Sequence, residues 1–259
     1  MHNIVLLAKE GLTGPVSLFE GPKGFKEIFE IELKYDWDKE DFSLIQKCIL
    51  KEFNSEVHTQ SILEATLALK DKYAFSINEI ESIDVTTFLT CYHIAGNGAY
   101  GDRTKVHSKE QADHSLPYLI AVALFDNEVY PEQFLPERIE KNDVQDLLQK
   151  VSVHTALPFH KPVKVAGLLD PYTSKYPDKV PCKVAIKLKD GKKFEEERED
   201  YHGFFTHPMN WDDVEKKFAK LTDGIVPEEK QQQITELIAN LEKREMKEFI
   251  TLLNKYADK

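Results

Sequence analysis

The chain has 259 residues, 41% hydrophobic and 31% charged, with a formal net charge of -11. These values describe a globular protein with one large domain or two smaller ones. The acidic balance argues against a nucleic-acid partner, because no domain-wide basic face remains to neutralise phosphates. Local cations can still bind a small anion.

No apolar run approaches a bilayer span, so no membrane partner is expected. The three cysteines, Cys48, Cys91 and Cys182, contain no CxxC pair for a metal. An odd, sparse set fits a reducing, cytoplasmic compartment, and each is expected as a small buried group. The opening residues Met1–Ala8 lack the features of a signal peptide and look like the middle of a helix. A chain that begins inside a larger fold would start this way.

In chain order, residues 2–10 show helical spacing through Ile4, Leu7 and Ala8, closed by Gly11, Gly14 and Pro15. A turn at Gly21–Gly24 leads to a short helix over Phe25–Phe29, whose apolar side needs a cover. Residues 30–54 are polar and mixed. A clear helix opens at Ser55–His58 and runs to about Tyr73, with Ser55 or Thr59 as cap. His58 then sits in the first turn, where the helix dipole disfavours positive charge.

Ile80–Ile94 reads as a strand. The stretch Gly96–Gly101 matches GxGxxG, but Asp102–Val106 does not read as a helix, so a loop beside a site is the better reading. Ser108–Asp126 reads as a second strong helix, with capping-box spacing at Ser108 and Gln111. Pro117 predicts a break near His114–Ser115, freeing backbone N–H groups for a ligand. A helix over Asp143–Lys150 leads to a strand at Val151–His154, then a long loop over 155–180. Cys182–Leu188 and Lys192–Glu199 form a hairpin around Asp190-Gly191, with a charged outer edge. Helices at Trp211–Leu221 (capped by Asn210), Glu228–Leu241 and Glu245–Tyr256 close the chain. The expected fold class is α+β. An antiparallel sheet with helices occupies roughly 50–225, and the two ends are helical.

The densest chemistry lies in Asp102–Tyr118, where Arg103, Lys105, His107, Lys109 and His114 crowd beside Asp102, Glu110 and Asp113. Two readings stand: a solvated mixed-charge turn, or a site that holds an anion and moves protons. A lone histidine at a helix start, such as His58, is ordinarily a cap. A tyrosine on an apolar helix, such as Tyr118, is ordinarily core. His93, His154, His160, His202 and His207 show no usable pattern.

Five blocks, in order, carry a resemblance: GLTGP at 11–15, FEGPKGF at 19–25, VHTQSILEA at 57–65, GDRTKVHSKEQADHSLPYLIAVALFDNEV at 101–129, and YHGFFTHPMNWDDVEKKF at 201–218. Together the chain resembles the C-terminal half of the MmgE/PrpD family, the 2-methylcitrate dehydratase family, which includes cis-aconitate decarboxylase. Members run to roughly twice this length and pair a large helical domain with an α+β lid, the active site lying between them. The resemblance implies that 1–45 is the tail of the helical domain, 46–225 the lid, and 226–259 helices returning to the helical domain. It implies a hydro-lyase eliminating water from a small tricarboxylate without metal or cofactor, in propionate metabolism. His58 and Tyr118 would be the catalytic groups, with Arg103, Lys105, His107 and His114 binding the acid. A homodimer or a complementing N-terminal half would be the partner, because other catalytic positions of the family fall before Met1. The alternative is a module of the same fold that binds an anionic metabolite or another subunit without catalysis.

Overall fold

The computed structural model describes residues 2–14, 16–30, 36, 38–41, 43–97, 101–157 and 169–254. It divides into two units, Met1–Gln46 and Lys47–Lys259.

The first unit holds α1 (His2–Lys9) and α2 (Phe25–Ile28). Gly11, at φ +94°, takes the backbone out of α1. Phe25 packs on Phe29 with ring centres 4.5 Å apart and meets Phe19 edge-on. Phe25 and Phe29 remain 39% and 59% exposed, as the apolar side with no obvious cover suggested. The Ile4 side chain lies outside the described residues.

The second unit is built on a sheet ordered β2-β1-β3-β4, from β1 (Ile80–Thr87), β2 (Val151–His154), β3 (Cys182–Leu188) and β4 (Lys193–Arg198). The β3–β4 hairpin is antiparallel, as its alternation implied, and β3 runs antiparallel to β1. The sheet as a whole is mixed, because β2 pairs parallel to β1, with Ile83 opposite Val151. A parallel neighbour needs a crossover. Here the chain from Leu89 to Leu148 supplies it as α4 (Leu89–Ile94), α5 (Lys109–Ala112), α6 (Leu116–Asp126), α7 (Pro136–Ile139) and α8 (Asn142–Leu148). The class is α+β.

One sheet face is dry. Ile80, Ile83 and Val85 of β1, Val151 and Val153 of β2, and Val184, Ile186 and Leu188 of β3 are all buried. The helix α3 (Gln60–Tyr73) packs against β3, β4 and α6, and α6 also packs on α8 and β2. Every residue of α6 from Leu116 to Leu124 is buried. A helix apolar on all sides sits inside a fold, and α6 is the centre of this one. It closes at Asn127, in the left-handed conformation at φ 61°, and Lys70 donates to the Asn127 side chain at 2.6 Å. The chain ends in α9 (Trp211–Thr222), α10 (Glu228–Ala239) and α11 (Met246–Asn254). Asn210 caps α9, as expected, in a reciprocal box with Asp213. No helix among the described residues is long and apolar enough to cross a membrane.

Four further expectations change. The strand read over Ile80–Ile94 stops at Thr87, and α4 follows. Beyond Thr87 the helix shows in its backbone bonds, with Tyr92 N–H donating to the Phe88 carbonyl at 3.0 Å and Ala95 N–H to the Cys91 carbonyl at 2.9 Å, while Phe88, Leu89, Cys91, His93 and Ala95 are all buried. The helix read over Ser108–Asp126 is two helices. Ser108 caps α5 and Ser115 caps α6, so Pro117 lies in the first turn of α6, where it is tolerated. Thr59 stands at the N-cap of α3 as expected but its side chain makes no cap bond there, and the Glu56 carboxylate caps the 3-10 turn just ahead. Cys48 is exposed, while Cys91 and Cys182 are buried.

Candidate active site

The residues Val57–Thr59 form a short 3-10 turn ahead of α3. Gln60, fully buried, folds back on the segment just before this turn. The Gln60 amide accepts from Phe53 N–H at 3.0 Å and donates to the Ser55 hydroxyl at 2.8 Å. The Thr59 hydroxyl donates to the Glu56 carbonyl at 2.7 Å. In the VHTQ block, Thr59 and Gln60 therefore hold the backbone that aims Glu56 and His58.

Glu56 grips His58 twice. One carboxylate oxygen accepts the His58 backbone N–H at 2.9 Å, and the other meets Nδ1 of the ring at 2.6 Å. On the far side, Nε2 lies 3.1 Å from the Tyr176 hydroxyl. Phe88 closes the wall, edge-on to His58 at 5.5 Å and stacked on Tyr176 at 4.8 Å. The Cys91 thiol donates to the His58 carbonyl at 3.4 Å, and burial pushes that thiol far above its ordinary range.

Tyr176 arrives from the loop read over 155–180, which is tied down at both ends. The buried Asp170 carboxylate accepts N–H groups from Leu157, Tyr172 and Thr173. Leu89 N–H donates to the Thr173 hydroxyl at 3.0 Å, and Ser61 donates to the Val180 carbonyl at 2.7 Å. Residues 158–168 lie outside the described residues.

The break between α5 and α6 meets this turn directly. Glu56 N–H donates to the Asp113 carbonyl at 3.2 Å. A cleft of about 350 Å³ between them is lined by Lys51, Glu56, Lys109, Asp113 and His114, among others. His114 pairs through Nδ1 with Asp113. The freed backbone groups at the break do not all wait for a ligand, since the Ser115 hydroxyl accepts Tyr118 N–H at 3.1 Å.

The other expected site residues make the following contacts. Lys105 is exposed and pairs with Asp102 at 3.3 Å. His107 pairs with Glu140 at 3.1 Å. Their stretch runs along α7 and α8, where Gln145 donates to the Val106 carbonyl at 2.9 Å. Arg103 donates its backbone N–H to the Asn97 side chain at 2.8 Å, and its carbonyl accepts the Ser115 hydroxyl at the α5–α6 break. Tyr118 is fully buried, and its hydroxyl donates to the Gln133 carbonyl. Burial pushes that phenol well above its usual range. His58 and Tyr118 thus have different partners, one in the turn before α3 and one in the core. Gly96 packs where a Cβ would lie 2.9 Å from Val153, a backbone approach to β2. Residues 98–100 of the GxGxxG stretch lie outside the described residues.

Residues 53–243 match the model of the MmgE/PrpD C-terminal domain. The chain belongs to the MmgE/PrpD family. Curated relatives include a cis-aconitate decarboxylase of Mus musculus, 22% identical over 231 residues, covering 82% of this chain and 43% of that protein. A cis-aconitate decarboxylase of Homo sapiens is 24% identical over 165 residues, covering 61% of this chain and 30% of that one. The matched part of the chain spans less than half the length of these relatives.

In this MmgE/PrpD member, sequence reasoning missed Glu56, Tyr176 and Asp113 as partners of the expected residues. Glu56, two positions before His58, carries a faint signal, because an acid there can both cap the turn and hold the ring. Tyr176 has none, being 118 positions away from His58.

Proposed function

We propose that this chain is the C-terminal part of a lyase acting on a small tricarboxylate. The observation that carries the reading is the Glu56–His58–Tyr176 chain of hydrogen bonds beside the cation-bearing cleft at the α5–α6 break. An imidazole held between an acceptor and a phenol suits proton transfer at a carbon next to a carboxylate. Lys51, Lys109 and His114 on the cleft suit binding of the acid's carboxylates. Arg103, Lys105 and His107 would act on the same acid only from the neighbouring stretch. Tyr118, with its hydroxyl in the core, would support α6 rather than meet substrate.

Within this reading, the names of the curated relatives favour decarboxylation of a cis-aconitate-like acid. The GDRTKVHSKEQADHSLPY block favours dehydration of a 2-methylcitrate-like acid. Both reactions pass charge through a carbanion beside a carboxylate, so one site serves either.

The test offers cis-aconitate, 2-methylcitrate and citrate to the chain, alone and with a polypeptide carrying the part of a family member that precedes this domain. Product is read by NMR. Turnover of one acid in the mixture, lowered at least ~100-fold by His58→Ala, is expected. Folded components that bind an acid without converting it, or full turnover by His58→Ala, would overturn the proposal.

A further inference from the structure

Both nitrogens of the His58 ring are occupied. A carboxylate only accepts, so Nδ1 carries the hydrogen that Glu56 receives at 2.6 Å. That leaves the Nε2 lone pair to accept from the Tyr176 hydroxyl at 3.1 Å. The His58 and Glu56 side chains are only 13% and 11% exposed. Among the described residues, the phenol oxygen has no hydrogen-bond partner besides His58, and its own lone pairs remain to accept. The chain of three groups therefore runs from Glu56, which also lines the cleft, to the Tyr176 hydroxyl, whose lone pairs are available. A substrate cannot reach Nε2 without displacing the phenol, which Phe88 holds by stacking with ring planes 14° apart.

We infer that Tyr176 is the group that exchanges a proton with substrate, with His58 acting through it and Glu56 behind. This rests on the lyase reading above and names the atom at its centre. In the direction of removal, the phenol oxygen takes a proton from the carbon beside a substrate carboxylate while its own proton passes to Nε2. The C–H electron pair stays on the substrate as an enediolate, and the new imidazolium lies against the Glu56 carboxylate. In the direction of delivery, the imidazolium form is the starting point. A C–C bond breaks, CO2 leaves and its bonding pair stays on carbon. That carbon takes the phenol proton, and Nε2–H restores the phenol. Each link moves one proton, so charge and atoms balance in both directions.

Tyr176→Phe keeps the stack on Phe88 and removes only the oxygen. In the active mixture, kcat is expected to fall at least ~100-fold with KM changed less than about threefold. Tyr172→Phe, a neighbouring phenol whose hydroxyl meets Glu197 at 2.9 Å, is the control and is expected to keep full kcat. Full kcat in Tyr176→Phe would overturn the inference and leave the lyase reading standing. If the wild-type mixture turns over none of the acids, the lyase reading fails, and the ring nitrogens of the 259-residue chain decide the rest. Nitrogen-15 NMR is expected to show the Nδ1–H tautomer at His58, with the Nε2 resonance moving toward that of an unbonded nitrogen in Tyr176→Phe. An Nε2 resonance that the substitution leaves in place would overturn the relay.

Discussion

Glu56 N–H donates to the Asp113 carbonyl at 3.2 Å, joining the turn that carries His58 to the break that carries His114. Two segments read separately in the sequence are thus one wall. Its shape depends on where α6 begins, and Ser115 decides that. Its buried hydroxyl accepts Tyr118 N–H and donates to the Arg103 carbonyl. Ser115→Ala removes the cap and leaves that carbonyl without this donor, at a cost of about 1–2 kcal/mol. A lowered urea midpoint with unchanged slope is the expected result.

A second prediction concerns acid. Arg138 donates to both Asp126 oxygens, at 2.9 and 2.8 Å, and to Asp143 at 2.9 Å. Burial pushes the Asp126 carboxyl up, but the hydrogen bonds from Arg138 and Gln133 outweigh it and hold the group below its ordinary value. A depressed folded value means that this stability is present above the unfolded carboxylate value of about 3.9. It is lost as pH falls through the folded value. The melting temperature is therefore expected to drop below about pH 4. Arg138→Met leaves two partly buried carboxylates unpaired and is expected to cost about 3 kcal/mol at neutral pH, less as they protonate. Equal losses at pH 7 and pH 3 would contradict this.

Gly203 gives a third. Its φ is +111°, and a Cβ there would lie 2.4 Å from the Leu50 carbonyl oxygen. The Gly203 carbonyl accepts Leu50 N–H at 2.8 Å, so the clash cannot open without breaking a bond. Gly203→Ala is expected to cost more than about 2 kcal/mol, since strain and overpacking add. Calorimetric melting measures it.

The thiols give a fourth. Cys48 is exposed, whereas Cys91 and Cys182 are buried, with the Cys182 thiol pushed up to about 12 by burial. Thiolate is the reactive form. A thiol reagent at neutral pH is expected to label Cys48 alone in the folded chain and all three cysteines in denaturant. Mass spectrometry of the labelled peptides checks this.

The α+β class was legible because its signals are local. The β3–β4 alternation, the Asn210 cap and the stripe of α3 each fit within one window of sequence. The β1 end was not, since Phe88-Leu-Thr-Cys-Tyr-His reads as strand by residue type and is helix only through backbone bonds such as Tyr92 N–H to the Phe88 carbonyl. The parallel β1–β2 pair was hidden for a related reason: strand direction follows from what lies between strands, not from the strands themselves. At the site, His58 stood out, but Glu56 and Tyr176 did not. Hydrogen bonds from the loop before β3 bring Tyr176 to His58, and a partner reached that way leaves no periodicity to read. The crowded charges of Asp102–Tyr118 divide in space. His114 faces the cleft beside Glu56, while Lys105 and His107 find carboxylates of their own.

Leu116–Leu124 is sheathed on every side in the finished protein. During synthesis that sheath is assembled in instalments. The Gln60–Tyr73 helix leaves the ribosome before the segment, whereas Asn142–Leu148 and the hairpin after Cys182 follow it. A nascent chain halted between these points would present its greasiest stretch half-clothed, an obvious handhold for a chaperone.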